Sequence, residues 1–146
     1  MKISIASDHG GEEVKNFLRD YLSNKYEVVD LSPENKPTDD YPDFAYLVGK
    51  SIQNKETEIG ILICASGNGM CIAANKIKGV YCAEINSVND ARLAREHNGA
   101  NAVAINGTPN FELIKNMIDA FLNATPLNDE RHQRRYDKII KIESGE

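Results

Sequence analysis

Residues 59–70 read Ile59-Gly60-Ile61-Leu62-Ile63-Cys64-Ala65-Ser66-Gly67-Asn68-Gly69-Met70. The first six are apolar or glycine without alternation, the pattern of a strand buried on both faces of a parallel sheet rather than one face to water. The run then stops at a thiol, a hydroxyl, two glycines and an amide, and a helix-like segment follows at once. A buried strand that enters a helix through a glycine turn is the first half of a βαβ unit, so the rest of the chain is expected to alternate in the same way.

It does. Apolar, β-branched stretches recur at 2–7, 26–31, 80–84 and 102–105, separated by longer amphipathic segments. Val14, Phe17, Leu18, Tyr21 and Leu22 follow the i, i+3, i+4, i+7, i+8 spacing of a helix with one buried face, and Ile114, Met117, Ile118, Phe121 and Leu122 repeat it. These elements predict an α/β fold: a three-layer α/β/α, Rossmann-like parallel sheet of five strands with an extra C-terminal helix. Residues 32–40, rich in turn formers, read as an exposed loop after the second strand.

The 146 residues fit one domain, residues 1–146, long enough to hide roughly two-thirds of the unfolded chain's surface. A 41% apolar and 27% charged composition is that of a globular protein. The net charge of -5 argues against a nucleic-acid partner, which demands a basic face. No apolar run is long enough for a membrane span, and MKISIASDHGG carries charges where a secretion signal keeps an apolar core, so the expected location is cytoplasmic. Cys64, Cys71 and Cys82 cannot all pair and show no CxxC metal spacing, which reads as reduced thiols. The C-terminal segment, a helix at about 127–142 capped by Asn128 or Asp129, is thinly apolar and gains little by lying on its own domain. It is expected to pack on a partner subunit and to carry its arginines there.

Ligands in open parallel sheets sit beyond the strand carboxyl ends, and three ends here carry polar residues. Ser66 to Gly69 admit two readings: a backbone cradle for a phosphate or enediolate oxygen, or glycines that only permit a tight turn. Cys64 at a strand end facing a helix start is either an activated thiolate or a small apolar core residue. Asp8 and His9 form either a sugar and phosphate grip or a helix cap. His97 is either functional or a favourable charge at a helix end. Arg131 and Arg135, four apart, share a helix face and form either a phosphate clamp or a solvated surface.

Taken together these residues resemble the ribose-5-phosphate isomerase type B family, which includes the galactose-6-phosphate isomerase subunits. IASDHGG at 5–11, DYPDFA at 40–45, GILICASGNGM at 60–70, IAANKIKG at 72–79, AREHNGAN at 94–101 and RHQRR at 131–135 occur in the family's order, across nearly the whole chain. The resemblance implies aldose–ketose isomerisation of a sugar phosphate through a cis-enediolate, with no metal or organic cofactor. Ribose 5-phosphate is the first choice of substrate, and allose or galactose 6-phosphate the rival. It implies that Cys64 moves the proton between C1 and C2, and that His97, with Asp8 nearby, assists ring opening. Ser66 and the Gly67, Asn68 and Gly69 loop would stabilise the enediolate. His9, Arg131 and Arg135 would hold the phosphate, and Tyr41 and Asn98 would line the sugar pocket. It also implies a homodimer, or dimer of dimers, with the site shared between subunits. The family's other branch places a glutamate at position 70; here Met70 cannot take a proton. Two departures stand out: Ala65 where glycine is common, and Thr108 where family members carry a phosphate-binding arginine. Outside this family the residues admit a non-catalytic phosphate-ligand binding module, or a thiol redox sensor built on Cys64 and Cys71.

Overall fold

The computed structural model describes residues 1–145; Glu146 lies outside them. In chain order it has β1 (Lys2–Ser7), a short 3-10 turn (His9–Gly11), α1 (Glu12–Leu22), β2 (Glu27–Asp30), α2 (Tyr41–Gln53) and β3 (Ile59–Cys64). There follow α3 (Asn68–Ala74), β4 (Cys82–Glu84), α4 (Val88–Glu96), β5 (Ala102–Asn106), α5 (Phe111–Asn123) and α6 (Glu130–Glu143). The strands form one parallel sheet in the order β2-β1-β3-β5-β4, so β3 lies at the centre with all six residues buried.

The two faces of the sheet differ in side-chain size. Ile3, Ile5, Ile59, Ile61, Ile63, Val103 and Ile105 project to one side, where α1, α4 and α5 cover them. Ala6, Leu62, Cys64, Ala102 and Ala104 project to the other, against α2 and α3. Gly60 belongs to this small-residue face. A Cβ there would stand 2.5 Å from Val48 Cγ1 and 2.9 Å from Ile52 Cδ1, so α2 can sit close to the sheet only because β3 has no side chain at that point. No helix among the described residues is long and apolar enough to cross a membrane.

Two elements are shorter than the sequence suggests. β4 begins at Cys82 rather than at 80, and the Asn75 side chain takes up both the Cys82 N–H (2.8 Å) and its carbonyl (2.9 Å). An amide thereby covers groups that an edge strand leaves open. α6 begins at Glu130 rather than near 127, with Asp129 at its cap position. Asp129 makes no backbone cap, because its carboxylate instead meets His132 Nδ1 at 2.6 Å.

One buried ion pair fixes the end of β2. Lys15, wholly buried on α1, reaches Asp30 Oδ2 at 2.8 Å and the Ser32 carbonyl at 2.9 Å, and Arg19 adds a second donor to Asp30 at 3.2 Å. Burial pushes the Asp30 carboxyl up, but Lys15, the Ser32 N–H and Arg19 outweigh it and hold the group below the usual carboxylate range. Truncating Lys15 leaves the Ser32 carbonyl without its donor and Asp30 with Arg19 as its one remaining cation, and breaking a buried pair commonly costs about 3–5 kcal/mol. Lys15→Ala is therefore expected to lower the free energy of unfolding in urea at pH 7 by about 3 kcal/mol. Because the folded-state pKa of Asp30 is depressed, the pair stabilises the protein above pH ~4, and the contribution fades as pH falls through the folded value. The gap between wild type and variant should narrow in acid, and a gap independent of pH would contradict the ion-pair account.

Candidate active site

Three strand ends and the start of α2 build a polar patch at the carboxyl edge of the sheet. β1 ends at Ser7, and the next residue, Asp8, is buried, its Oδ1 accepting from the Gly10 N–H at 2.9 Å. The carboxylate does cap the 3-10 turn, so the capping reading holds, while its position beside the end of β3 is fixed by the Asp8 N–H donating to the Ile63 carbonyl at 3.2 Å.

Cys64 closes β3 with only 4% of its surface exposed. The chain then reverses through Gly67 at φ +87°, a left-handed conformation natural to glycine, and this returns the Gly67 N–H to the Cys64 sulfur at 3.1 Å. The sulfur is thus held as an acceptor at the strand end, and the Gly67 donor is spent on it rather than facing outward. Ser66 Oγ accepts from the Asn68 N–H at 3.2 Å and is exposed. The Asn68 side chain, with its amide nitrogen oriented toward Glu84, donates to Oε1 at 3.0 Å. Gly69 has to be glycine for a different reason, since a Cβ would run into the Tyr41 ring, which brings Tyr41 against the loop. Met70 is wholly buried in the small-residue core, so position 70 presents no polar group to the site.

The loop at 32–40 is not simply exposed. Ser32 is buried and Asn35 and Asp39 are half-buried, because Ser32 and Asn35 turn in to bond the end of β1 and Asp39 turns in to bond His9. Ser32 Oγ accepts from the Ser7 N–H at 2.9 Å, and Asn35 Nδ2 donates to the Ser7 carbonyl at 2.8 Å. Asp39 Oδ1 accepts from the His9 N–H at 3.0 Å and lies 2.7 Å from His9 Nδ1, while Oδ2 accepts from Asn35 Nδ2 at 2.9 Å and the Lys36 N–H at 3.1 Å. Burial pushes the Asp39 carboxyl up, but the Asn35 amide, the His9 ring and the two backbone donors pull it down to about 2. The hydrogen bond to Asp39 in turn raises the His9 imidazole above its usual value, against slight desolvation and with Asp8 assisting. Sequence reasoning missed Asp39. Nothing in its local context marks a residue whose partner lies 30 positions earlier.

The remaining predicted residues lie at the opposite edge of the sheet. His97 is the residue that ends α4, and Asn98 and Gly99 follow it to Asn101, whose carbonyl accepts from Gly60 at the beginning of β3. β5 then runs from Ala102, beside Gly60, to Asn106, beside Cys64, which separates the two edges by roughly 13 Å. α6 packs at the far edge: its Tyr136 hydroxyl donates to the Leu127 carbonyl at 2.9 Å, and its His132 ring lies 5.4 Å from that of His97. Arg131 and Arg135 are exposed on the same helix, and a cleft of about 320 Å³ between α6 and residues 98–99 does not include Cys64. One copy of the chain therefore gathers Asp8, His9, Tyr41, Cys64, Ser66, Gly67, Asn68 and Gly69 on one edge, and His97, Asn98, Arg131 and Arg135 on the other.

Both departures are accommodated. Among the described residues Lys55 is the only non-glycine with positive φ, so Ala65 carries no left-handed strain. Thr108 is exposed beside the His9–Gly11 turn, because Gly107 packs on the Gly10 carbonyl so closely that a Cβ would collide with it. Cys71 does not face Cys64. Its thiol hydrogen-bonds Cys82, which lowers it to about 7, and its sulfur lies 3.4 Å from the Cys82 carbonyl. The described residues contain no cluster of three or more metal-ligating side chains.

A model of the ribose/galactose isomerase family matches residues 3–139. The probable ribose-5-phosphate isomerase B of Mycoplasma genitalium is 45% identical over 146 residues, covering 97% of this chain and 95% of the relative. The crystal structure of ribose-5-phosphate isomerase B from Mycoplasma genitalium, with ribulose 5-phosphate bound, superposes with a TM-score of 0.93 at 42% identity, covering 99% of this chain and 97% of that one. Ribose-5-phosphate isomerase B of Clostridium thermocellum superposes with a TM-score of 0.95 at 38% identity, covering 99% of both chains.

The turn at Gly67 supplies a direct test of how the loop is held. A Cβ there would meet the Ile105 carbonyl carbon at 3.1 Å and face a left-handed backbone, a conformation that costs a residue with a Cβ about 1–2 kcal/mol. Gly67→Ala is expected to lower stability by about that amount in urea unfolding. A variant as stable as wild type would show that the turn does not require glycine.

Proposed function

The chain belongs to the ribose/galactose isomerase family and is a sugar-phosphate isomerase, and on that premise we propose that it interconverts ribose 5-phosphate and ribulose 5-phosphate with Cys64 moving the proton. The observation that carries the assignment is the pairing of an oriented Cys64 sulfur at the end of β3 with a Met70 side chain that is wholly buried. Of the two positions at which the family places its base, only Cys64 offers a proton-accepting atom. The thiolate takes the C2 proton of the opened aldose, and the electron pair moves through C1 to leave the enediolate charge on O1. The thiol then returns the proton to C1 while the O2 hydroxyl proton passes to O1, which leaves O2 as the ketone oxygen and O1 as the C1 hydroxyl. The Ser66 hydroxyl and the Gly69 N–H in the first turn of α3 would serve the developing oxyanion, the Asn68 N–H being held by Ser66 Oγ, and each such donor is commonly worth a few kcal/mol.

The same reading assigns the phosphate to the His9 ring, whose Nε2 is left free because Nδ1 is held by Asp39. Ring opening by His97 and closure on the phosphate by Arg131 and Arg135 then require a second copy of the chain, because these residues lie at the far edge of the sheet from Cys64. A homodimer whose partners exchange edges brings the two half-sites together. Exposed apolar side chains on α2 and α3, Tyr46, Leu47 and Ile72, offer a surface for such a contact. A hexose 6-phosphate remains the second reading, favoured by Thr108, which leaves open the space beside the His9 turn where family members place arginine.

Two experiments test this. Initial rates with ribose 5-phosphate, allose 6-phosphate and galactose 6-phosphate are expected to favour the pentose, and Cys64→Ala to lower kcat about 10²–10⁴-fold while sugar-phosphate binding persists. Faster turnover of a hexose phosphate would reassign the substrate, and an active Cys64→Ala enzyme would remove the thiol from the mechanism. For the shared site, Cys64→Ala and His97→Ala chains, each inactive alone, are refolded together in equal amounts. Half of the dimers formed are mixed and each has one intact site, so about a quarter of wild-type activity should return. Failure to recover activity in verified mixed dimers would place His97 and Cys64 in the same copy.

A further inference from the structure

The His9–Asp39 contact goes further than orientation. Four donors converge on the Asp39 carboxylate: the His9 N–H at 3.0 Å and its Nδ1 at 2.7 Å on one oxygen, and Asn35 Nδ2 at 2.9 Å and the Lys36 N–H at 3.1 Å on the other. A carboxylate satisfied in this way is ionised and can only accept, so His9 Nδ1 must carry a proton. A neutral ring locked in that tautomer turns a bare lone pair at Nε2 outward and repels a phosphate oxygen. Only the doubly protonated ring offers an Nε2–H. The loop that carries Asp39 is anchored in turn, since Asn35 also donates to the Ser7 carbonyl and Ser32 is fixed by Asp30 and Lys15. The charged groups that face His9 are Asp39 from this loop and Asp8 from its own turn.

We infer that Asp39 is a positioning residue that makes His9 an anion clamp operating only as a cation, so that the substrate phosphate is gripped through a charged Nε2–H. The inference rests on the assignment of the phosphate to His9. It makes the affinity for a dianion depend on the protonation of one imidazole, with the working range carried upward in pH by Asp39. Arg131 and Arg135 of a second copy are charged throughout that range and add no step to it. Asp39 acts on the phosphate only through His9, so its removal should appear in KM rather than kcat.

The probe is inorganic sulfate, whose charge does not change between pH 6 and pH 9, used as a competitive inhibitor of isomerisation, with the His9 ring titrated in parallel by proton NMR. The chain has three histidines, so the resonances can be assigned by single replacements. Asp39→Ala should lower the His9 titration midpoint and weaken sulfate inhibition about three- to tenfold at pH 8, the loss of one charge-assisted hydrogen bond. Wild type and variant should converge at pH 6 and below, where the ring is cationic in both. Asp39→Asn, which keeps the side-chain shape, should reproduce this if Asp39→Ala disturbs the loop. In a His9→Gln background neither substitution should add a pH-dependent effect. An unchanged His9 midpoint would overturn the inference and leave the phosphate assignment standing. A lowered midpoint with unchanged sulfate inhibition at every pH would overturn both, because His9 would then not hold the phosphate. A loss equal at pH 6 and pH 8 would reduce Asp39 to holding the loop.

Discussion

The candidate site depends on one tight reversal of the chain. At Gly67 the backbone enters the left-handed region and brings its own N–H back 3.1 Å from the sulfur that ends β3. From that turn three other features follow. α3 begins at the next residue, Gly69 in its first turn lies flat against Tyr41, and Met70 is directed inward to the core beneath α2 and α3. An ordinary L-residue at Gly67 would open the turn, and the thiol, the donors and the Tyr41 wall would move together. The small-residue face of the sheet makes the arrangement possible, because α2 and α3 approach closely where β3 presents Gly60 and β5 presents Ala102 and Ala104.

A second layer of constraint runs beneath the His9 turn. Loops that carry function are commonly the least stable part of a domain. Residues 32–40 instead hang from a buried ion pair, Lys15 with Asp30, through the Ser32 backbone, and their inward side chains occupy the free groups at the end of β1. Such a pair contributes little net stability relative to apolar packing. What it supplies here is position: Asp30 holds the Ser32 N–H, Ser32 holds Ser7, and Asn35 holds both Ser7 and Asp39. A polar chain from the interior of α1 to a half-exposed imidazole rigidifies a loop whose composition alone suggests free movement.

The elements legible in the sequence were those with a period. The central strands β1, β3 and β5 show because both faces are buried, and α1 and α5 show because their apolar residues recur at helical spacing; every residue of the second stripe is buried. Cys64, Ser66 and the glycines were legible as a strand-end cluster for the same reason. The hidden features are contacts between residues far apart in sequence without a shared pattern. Asp39 sits in a run of turn formers, and its bond to His9 arises only once β1 and β2 lie side by side. Cys71 was read against Cys64, yet the helical turn of α3 directs it to Cys82 across the sheet edge. The placement of α6 was half legible. Its thin apolar content signals a helix with little to bury, and His132 is its one buried residue, but no pattern announces that Tyr136 and Glu143 tie it to Glu96, Leu127, Gly79 and Tyr81.

The separation of the predicted residues into two groups is a property of the architecture rather than an accident of this chain. In a parallel sheet every strand ends at one edge and every helix that returns the chain ends at the other. A thiol at a strand end and a histidine at a helix end are thus divided by the depth of the sheet, and no adjustment of loops within one copy joins them. Chemistry that needs both groups can be completed only by a second chain presenting its helix-end edge to the first chain's strand-end edge. On the proposed shared site α6 has a physical purpose: it leaves Arg131 and Arg135 exposed beside His97 and exposes Ile139, Ile140 and Ile142 on its last turns. A helix with those side chains is poorly used on its own subunit. Facing the His9 turn of another copy, it would set two guanidinium groups beside an edge that itself offers one imidazole and, at Thr108, no cation.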